Sequence, residues 1–236
     1  PLDVGRAPAV AWARFWTMGH AREDGADFRL YDDRNQPVPF QIILHEPGVE
    51  TVIAYKITRV GQTFHLYFEN PSANKIATDW KPEAGLFLVT RKLEKGLPRK
   101  LQHIRQALDA NPQAYGGGYL DRIFHAYNPF GSSEDFLSHF TGYFYISQEK
   151  QYRFATVSAD ASHVVIDGKT ICSNLIVGRA HVGRRGRFMG NIRLKPGVHR
   201  LDYYHVNRGG APIMELAWVK PDGSNKTLEV VPPRFF

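Results

Sequence analysis

The sequence predicts an all-β protein made of two β-sandwich, jelly-roll-like domains that are joined by one short helix. Short runs of aromatic and β-branched residues alternate with polar residues along most of the 236-residue chain. Turn signals such as Asp167-Gly168 and Pro196-Gly197 separate these runs at intervals of about ten residues, which is typical of antiparallel sandwiches. Helical spacing of apolar residues is clear at one place only, so we expect a single helix.

The first domain is expected to span residues 1–96. Its runs AVAWARFWTM, DFRLYD, VPFQIIL, TVIAYKIT and TFHLYFEN are short and are separated by turn clusters. In the last of them Phe64, Leu66 and Phe68 fall on one face, as in a half-buried strand. The segment GLFLVTRK, residues 85–92, is expected to be the last strand of this domain.

The helix is expected over residues 97–112 as the connector between the two domains. Asn111-Pro112 ends it, because the residue before a proline is disfavoured in the helical region. Apolar residues at helical spacing form its inner face: Leu97, Leu101, Ile104 and Leu108.

The second domain is expected to span residues 113–236. It begins with the glycine tract Gly116 to Gly118, which indicates a tight backbone approach or a flexible joint. Eight strands follow, from GYFYI at residue 142 to LEVV at residue 228, and Trp218 near the end is expected to anchor the core.

Composition bounds the partners and the location. No apolar run is long enough to span a membrane, and the single Cys172 is expected to be a buried structural thiol. The net charge of +7 favours either solubility or the binding of an anionic polymer. A glycine-rich basic loop could bind such a polymer. It lacks interleaved aromatic residues on which bases would stack, so we expect no binding of nucleic acid. Its basic residues are Arg179, Arg184, Arg185 and Arg187.

The second domain resembles the anthrax protective-antigen-type domain, a lectin-like β-sandwich. The resemblance is carried by an ordered set of segments and by the closing PPRFF: FTGYFYI, QYRFATVSAD, VVIDGKTI and IRLKPGVHRLDYYHVNRGGAPIMELAWVKPDG. It implies an extracellular, cell-surface or periplasmic setting, and carbohydrate binding or the organisation of neighbouring domains.

The resemblance also implies where a ligand would bind. In the yeast adhesin branch two consecutive aspartates hold a calcium ion that coordinates sugar hydroxyls. Here Asp160 matches one of them, but Ala161 replaces the partner aspartate, which removes a carboxylate that calcium needs. We therefore expect no cofactor; if a site exists, it involves Asp160, Asn207 and Arg208, with Arg184 and Arg185 as further ligand-binding candidates. The alternative role of Asp160 is to cap a turn.

Residues 1–95 resemble a bacterial and archaeal surface-protein domain of unknown function. The resemblance is carried by Asp27-Phe28-Arg29-Leu30-Tyr31-Asp32, by the proline-flanked strand at residues 37–42, and by the closing segment LYFENPSA. Some members of that family belong to envelope transport proteins, which implies an envelope setting here.

No catalytic constellation is visible in the sequence. The adjacent pairs Asp32-Asp33 and Glu134-Asp135 are expected to be solvated loop charges, and neither a zinc-protease helix nor a Gly-x-Ser-x-Gly elbow occurs. A crowded aromatic group either lines a glycan groove or seals the domain interface: Tyr115, Tyr119, Phe124, Tyr127 and Phe130.

The expected function is therefore non-catalytic binding or scaffolding outside the cell or in the envelope, with a glycan as the candidate ligand. Two alternatives stay open. The chain could be an accessory module of a larger glycan-degrading enzyme, or a structural subunit of a surface assembly or envelope transport complex.

Overall fold

The structure is a computed structural model that describes residues 10–57, 62–76, 80, 85–111, 113–177, 185–219 and 227–236. The chain divides into two compact units, residues 1–84 and residues 85–236. Strands dominate both units, and one α-helix and one short 3-10 helix complete the described elements. The prediction of an all-β protein is confirmed.

The N-terminal unit contains two small antiparallel sheets. The first has the order β1-β4-β3 and the second pairs β2 with β5. The strands are β1 (Val10–Phe15), β2 (Arg29–Asp32), β3 (Phe40–Glu46), β4 (Glu50–Lys56) and β5 (Phe64–Tyr67).

One apolar core serves both of these sheets. Phe28 and Leu30 reach it from the β2 side, while Phe40 and Ile53 reach it from β3 and β4. In β5 the side chains alternate between half-buried and exposed, as the sequence pattern predicts for a strand with one wet face.

The C-terminal unit is a sandwich of two larger antiparallel sheets. Its elements are β6 (Gly85–Lys92), α1 (Leu101–Ala110), β7 (Ala114–Leu120), β8 (Phe124–His125), β9 (Phe136–Ile146), β10 (Lys150–Ser158), β11 (Ser162–Ile166), β12 (Lys169–Asn174), β13 (Phe188–Leu194), β14 (Gly197–Asn207), β15 (Met214–Val219), β16 (Leu228–Val230) and a 3-10 helix (Pro233–Phe235). The six-stranded sheet has the order β12-β11-β14-β9-β6-β7. The five-stranded sheet has the order β13-β10-β15-β16, with β8 also paired to β15.

The main core of this unit contains the inward-facing residues of both sheets. Trp218 is fully buried in it, and its ring packs edge-on against Phe235 at a centroid distance of 4.6 Å. The indole N–H donates to Glu229 at 3.3 Å, which satisfies its one polar atom. The prediction that Trp218 anchors the core is confirmed.

The helix α1 covers the other face of the six-stranded sheet. Ile104 and Leu108 pack there with Leu137 of β9 and Val206 of β14. The helix begins at Leu101 rather than at residue 97, in keeping with Pro98, which disfavours helical geometry at the residue before it. None of the described helices has the length and apolar content needed to cross a membrane.

The expected domain boundary at residue 96 requires a correction. The strand β6 pairs with β9 over its whole length and with β7 from Leu86 to Arg91, so it belongs to the C-terminal unit and is not the last strand of the first domain. Because α1 packs on the same sheet, it is part of that unit and not a connector between two sandwiches. The boundary lies between residues 84 and 85.

Glycine is required where backbones approach closely. A Cβ atom on Gly190 of β13 would lie 1.8 Å from the carbonyl oxygen of Ile171 in β12, where the edges of the two sheets meet. The turn after β11 has Asp167 and Gly168 at φ of 49° and 78°, the left-handed values that the Asp-Gly pair predicts. The glycine tract forms the edge strand β7, where a Cβ on Gly117 would lie 3.0 Å from the ring of Phe87.

Candidate functional site

One end of the C-terminal sandwich brings together the loops that follow β10 and β14. The backbone N–H of Ala159 donates to the carbonyl of Ile213 at 3.2 Å, and that of Val206 donates to Ala161 at 2.9 Å. We call residues 159–161 and 207–213 the loop end. Residues 208–211 are exposed, and Gly209 has open space around it.

Asp160 is buried at the base of the loop end, with 3% of its surface exposed. Its Oδ2 accepts a hydrogen bond from the backbone N–H of Arg208 at 2.9 Å. Its carbonyl oxygen accepts from Ser158 Oγ at 2.6 Å and from Asn174 Nδ2 at 2.9 Å. The carboxylate therefore fixes the start of the exposed loop, since a charge-assisted bond to a backbone N–H is among the stronger hydrogen bonds.

Asn207 and Arg208 extend the loop end toward two further segments. Nδ2 of Asn207 donates to the carbonyl of Ser133 at 2.9 Å. Nη1 of Arg208 donates to the carbonyl of Gly96 at 2.9 Å, and its Nε lies 3.8 Å from Asp135. Three of the residues that the sequence singled out thus lie together, and Arg208 is the exposed one.

The two basic candidates from the arginine loop are not both placed. Arg184 lies outside the described residues. The guanidinium of Arg185 forms an ion pair with Glu215, whose carboxylate is buried on the outer face of β15. Arg185 thus neutralises a carboxylate of the five-stranded sheet, whereas Asp160 bonds to the backbone of Arg208 at the loop end.

The loop end does not fit a calcium ion of the kind that the yeast adhesin branch holds. Calcium takes about six to eight oxygen ligands, several of them carboxylates. Here Ala161 is fully buried and offers no side-chain oxygen, while the neighbouring Arg208 brings a positive charge. The described residues contain no group of three or more His, Cys, Asp or Glu that could hold a metal ion.

A polar network on the outer face of the six-stranded sheet was not foreseen from the sequence. Nε2 of His139 lies 2.9 Å from Oδ1 of Asp202, and the His139 ring stacks on Tyr204 at 4.3 Å. Burial by itself would raise the pKa of Asp202, but the hydrogen bonds from His139 and Arg200 outweigh it and lower this pKa to about 2. His139 and Asp202 are 63 residues apart in the sequence and lie on the paired strands β9 and β14. The signal in the sequence is that both are polar residues within strands that are otherwise rich in apolar residues.

This network does not have the geometry of a Ser-His-Asp relay. A Ser-His-Asp type of relay needs the carboxylate on one ring nitrogen and the hydroxyl on the other. Here Thr141 Oγ1 lies 3.0 Å from Nε2 of His139, the same nitrogen that contacts Asp202. The single thiol is no better placed, because burial raises the pKa of Cys172 to about 12 and keeps it protonated.

The aromatic residues at 115–130 do not form one groove. Tyr115 and Phe130 pack against the main core of the sandwich, and Tyr119 packs edge-on against Phe87. Phe124 and Tyr127 are the exposed members of the group.

A separate cleft of about 300 Å³ lies in the N-terminal unit. Its lining is mostly apolar or aromatic: Arg29, Leu30, Tyr31, Pro37, Val38, Pro39, Phe40, Ile76 and Trp80. The Arg29 guanidinium donates to three backbone carbonyls, those of Ala26, Phe28 and Asn74, so most of its bonding capacity serves the fold.

Comparison with known proteins identifies the fold. No protein-family model and no curated protein matches the chain. Among solved structures, the PA14 sugar-binding domain of an RTX adhesin is 15% identical with a TM-score of 0.51, over 64% of this chain and 97% of that one. The PA14 domain of the antifreeze protein MpAFP is 15% identical with a TM-score of 0.51, over 69% and 95%.

A third similar structure comes from a yeast. The A domain of epithelial adhesin 6 from Candida glabrata, in complex with Galβ1-3GlcNAc, is 10% identical with a TM-score of 0.51, over 66% of this chain and 88% of that one. The chain therefore contains the PA14 fold, which is the protective-antigen-type sandwich that the sequence resembles. The resemblance noted for residues 1–95 stays a prediction.

Proposed function

We propose that the protein is a non-catalytic binding module of the cell surface, the envelope or the extracellular space, and that its loop end recognises carbohydrate. The observation that carries the proposal is the convergence of Asp160, Asn207 and Arg208 at one end of the sandwich. A buried carboxylate fixes the backbone there, and an exposed guanidinium and an open glycine pair follow it.

The similar folds support a sugar as the ligand. One is described as a sugar-binding domain, and another was crystallised with Galβ1-3GlcNAc. Neither fact transfers to this chain by itself, because identities of 15% and 10% establish the fold alone. The support comes from the chemistry of the loop end, which offers backbone groups and a cation but no calcium cage.

The cation at the loop end favours ligands that accept hydrogen bonds. Nη1 of Arg208 donates a hydrogen bond to the carbonyl of Gly96. The other N–H groups of the guanidinium can donate to hydroxyl or carboxylate oxygens of a ligand. A net charge of +7 further favours acidic glycans such as uronic acid polymers, since it attracts anions at low salt.

Binding in the absence of calcium tests this proposal. We would measure binding to a glycan array that includes β-galactosides and uronic acid polymers, with a chelator present throughout. The test variant is Arg208→Ala. The matched control is Arg193→Ala, because Arg193 is an exposed arginine paired with Glu149 near the start of β10, at the opposite end of that strand from Asp160.

We expect hits with the unmodified protein, at least a tenfold loss of affinity for Arg208→Ala, and no change for Arg193→Ala. Absence of any hit would contradict carbohydrate recognition and would favour the structural-subunit alternative. Hits that survive Arg208→Ala undiminished would place the ligand elsewhere on the protein.

A further inference from the structure

A row of polar residues crosses the inner face of the six-stranded sheet. The residues are paired across neighbouring strands, from β6 through β9, β14 and β11 to β12. All of them are fully buried, although the rest of this face is largely apolar. We call them the polar row: Thr90, Ser138, His205, Ser162 and Asn174.

Two of the five residues of the polar row form hydrogen bonds to the facing sheet and its loop. Ser162 Oγ lies 2.7 Å from Thr156 Oγ1 and 2.8 Å from Ser158 Oγ. Nδ2 of Asn174 donates to Ser158 and to the carbonyl of Asp160. These bonds are what a buried polar group requires.

The polar side-chain atoms of the other three residues have no protein partner within the described part of the chain. This holds for Thr90 Oγ1, Ser138 Oγ and both ring nitrogens of His205, and also for Oδ1 of Asn207, two residues further along β14. Each buried polar atom without a hydrogen bond costs a noticeable share of the stability of a domain. All five atoms lie on the neighbouring strands β6, β9 and β14, so they require partners in one region of the sandwich.

We propose that Thr90, Ser138, His205 and Asn207 bind internal water, with at least two molecules inside the sandwich. The minimum is two because the two nitrogens of an imidazole ring point away from each other, so one water cannot serve both. Water suits the set because hydroxyls and a neutral imidazole each need both donors and acceptors, which water supplies.

A neutral ligand fits these residues better than an ion does. The unsatisfied set contains one histidine and no carboxylate, and burial lowers the pKa of His205 to about 3, which keeps the ring uncharged near neutral pH. A divalent cation would need more or stronger donors than two hydroxyls, one amide oxygen and one imidazole provide.

The proposed waters lie under the loop end. Asn207 contributes its unsatisfied oxygen to the water site, while the next residue, Arg208, donates its backbone N–H to Asp160. The waters would thus support the strand end from which the exposed loop departs. The water site does not depend on carbohydrate binding and can be tested without it.

The direct test is a high-resolution crystal structure of the whole chain, together with NMR detection of long-lived water near the amides of Thr90, Ser138 and His205. We expect ordered water within about 2.7–3.2 Å of both His205 nitrogens. A dry row, a protein group bonded to both nitrogens, or density for an ion would overturn the proposal.

The substitution Thr90→Val gives an independent test through the sign of its effect. If water is bound, removing the hydroxyl takes a partner from that water and the melting temperature falls. If the row is dry, the substitution removes an unsatisfied polar atom, and the melting temperature stays the same or rises, which would overturn the proposal. The matched control is Thr170→Val, because Thr170 is an exposed threonine on β12 and its substitution should leave the melting temperature unchanged.

Discussion

The buried imidazole of His205 makes the stability of the C-terminal unit sensitive to acid. Burial is the cause that lowers its pKa, from an ordinary value of 6.5 to about 3. The unfolded chain therefore takes up a proton below pH 6.5 that the folded protein refuses until the pH nears 3. Stability is complete above the unfolded pKa and is lost progressively as the pH falls from 6.5 toward 3.

The size of the effect follows from linkage. Each pH unit within this window removes about 1.4 kcal/mol from the free energy of unfolding. Lowering the pH from 6.5 to about 5 should therefore cost about 2 kcal/mol, or roughly 4–8 °C in melting temperature for a unit of this size. The carboxyl of Asp202 adds nothing in this range, because its stabilisation is lost only as the pH falls from 3.8 to about 2.

Two other histidines also contribute to the pH dependence of stability, so the effect of His205 must be measured as the difference between the unmodified protein and a variant. Burial lowers the pKa of His125 and of His163 as well, so they act in the same direction. We would measure urea unfolding at about pH 7, 6 and 5, following NMR cross-peaks of β14 so that the C-terminal unit is observed separately. The same series is then run on His205→Gln, which keeps a polar side chain that cannot take up a proton.

We expect the unmodified protein to lose about 2 kcal/mol more than His205→Gln between pH 7 and pH 5. The control is His103→Gln, because His103 is exposed on α1, where its ring contacts the neighbouring Gln102. It should keep the full pH dependence. If His205→Gln kept that dependence too, the reasoning from burial would be refuted, because His205 would then have a partner that stabilises its charged form.

Three further predictions follow from the packing, the thiol and the loop end. Gly190→Ala should destabilise the C-terminal unit by more than about 2 kcal/mol, because the new Cβ would collide with the carbonyl of Ile171, whereas Gly209→Ala, in open space, should change the urea midpoint little. Cys172 should react with a thiol reagent at mildly alkaline pH only after unfolding, since burial raises its pKa to about 12; rapid reaction of the folded protein would contradict this. Millimolar calcium should leave the melting temperature unchanged, because Asp160 has Ala161 and Arg208 as neighbours; a rise of several degrees would mean that a calcium site exists.

Local patterns predicted the strands well because each signal lies within one stretch of chain. The alternation along β10 and β14 and the Asp167-Gly168 turn depend on neighbouring residues alone. The location of Trp218 in the core follows from its size and its apolar neighbours. These are the features that period and turn chemistry can determine.

Sheet membership was mispredicted where it depends on distant pairing. The pattern of β6 shows that residues 85–92 form a strand, but nothing in it says that its partner is β9, which begins at Phe136, rather than a preceding strand. Because residues 85–92 directly follow the other strands of the first domain in the sequence, they were assigned to that domain. The same limit hid the contact of His139 with Asp202, which joins side chains 63 residues apart.

Only part of the candidate site could be predicted from the sequence. Asp160, Asn207 and Arg208 were identified through the family resemblance and not through any local pattern, and the structure brings them together. Alternation along β14 places His199 and His205 on one face of the strand. His199 contacts Asp167 at 2.7 Å, whereas the ring nitrogens of His205 have no hydrogen-bond partner among the described residues. Alternation predicts which face a side chain lies on, but not whether the facing sheet offers it a partner.

The hydrogen bonds at the loop end fit the proposed binding role. The buried carboxylate of Asp160 is engaged by a backbone N–H, and the carbonyl of the same residue accepts two further bonds. Groups used in this way hold the backbone in place, so less conformational entropy is lost when a ligand binds. Arg208 remains exposed beside a glycine pair, and the half-exposed carboxylate of Asp135 lies 3.8 Å from its Nε. A rigid base beneath a small polar contact surface suits the proposed binding role, because a preorganised loop loses less entropy when it binds a ligand.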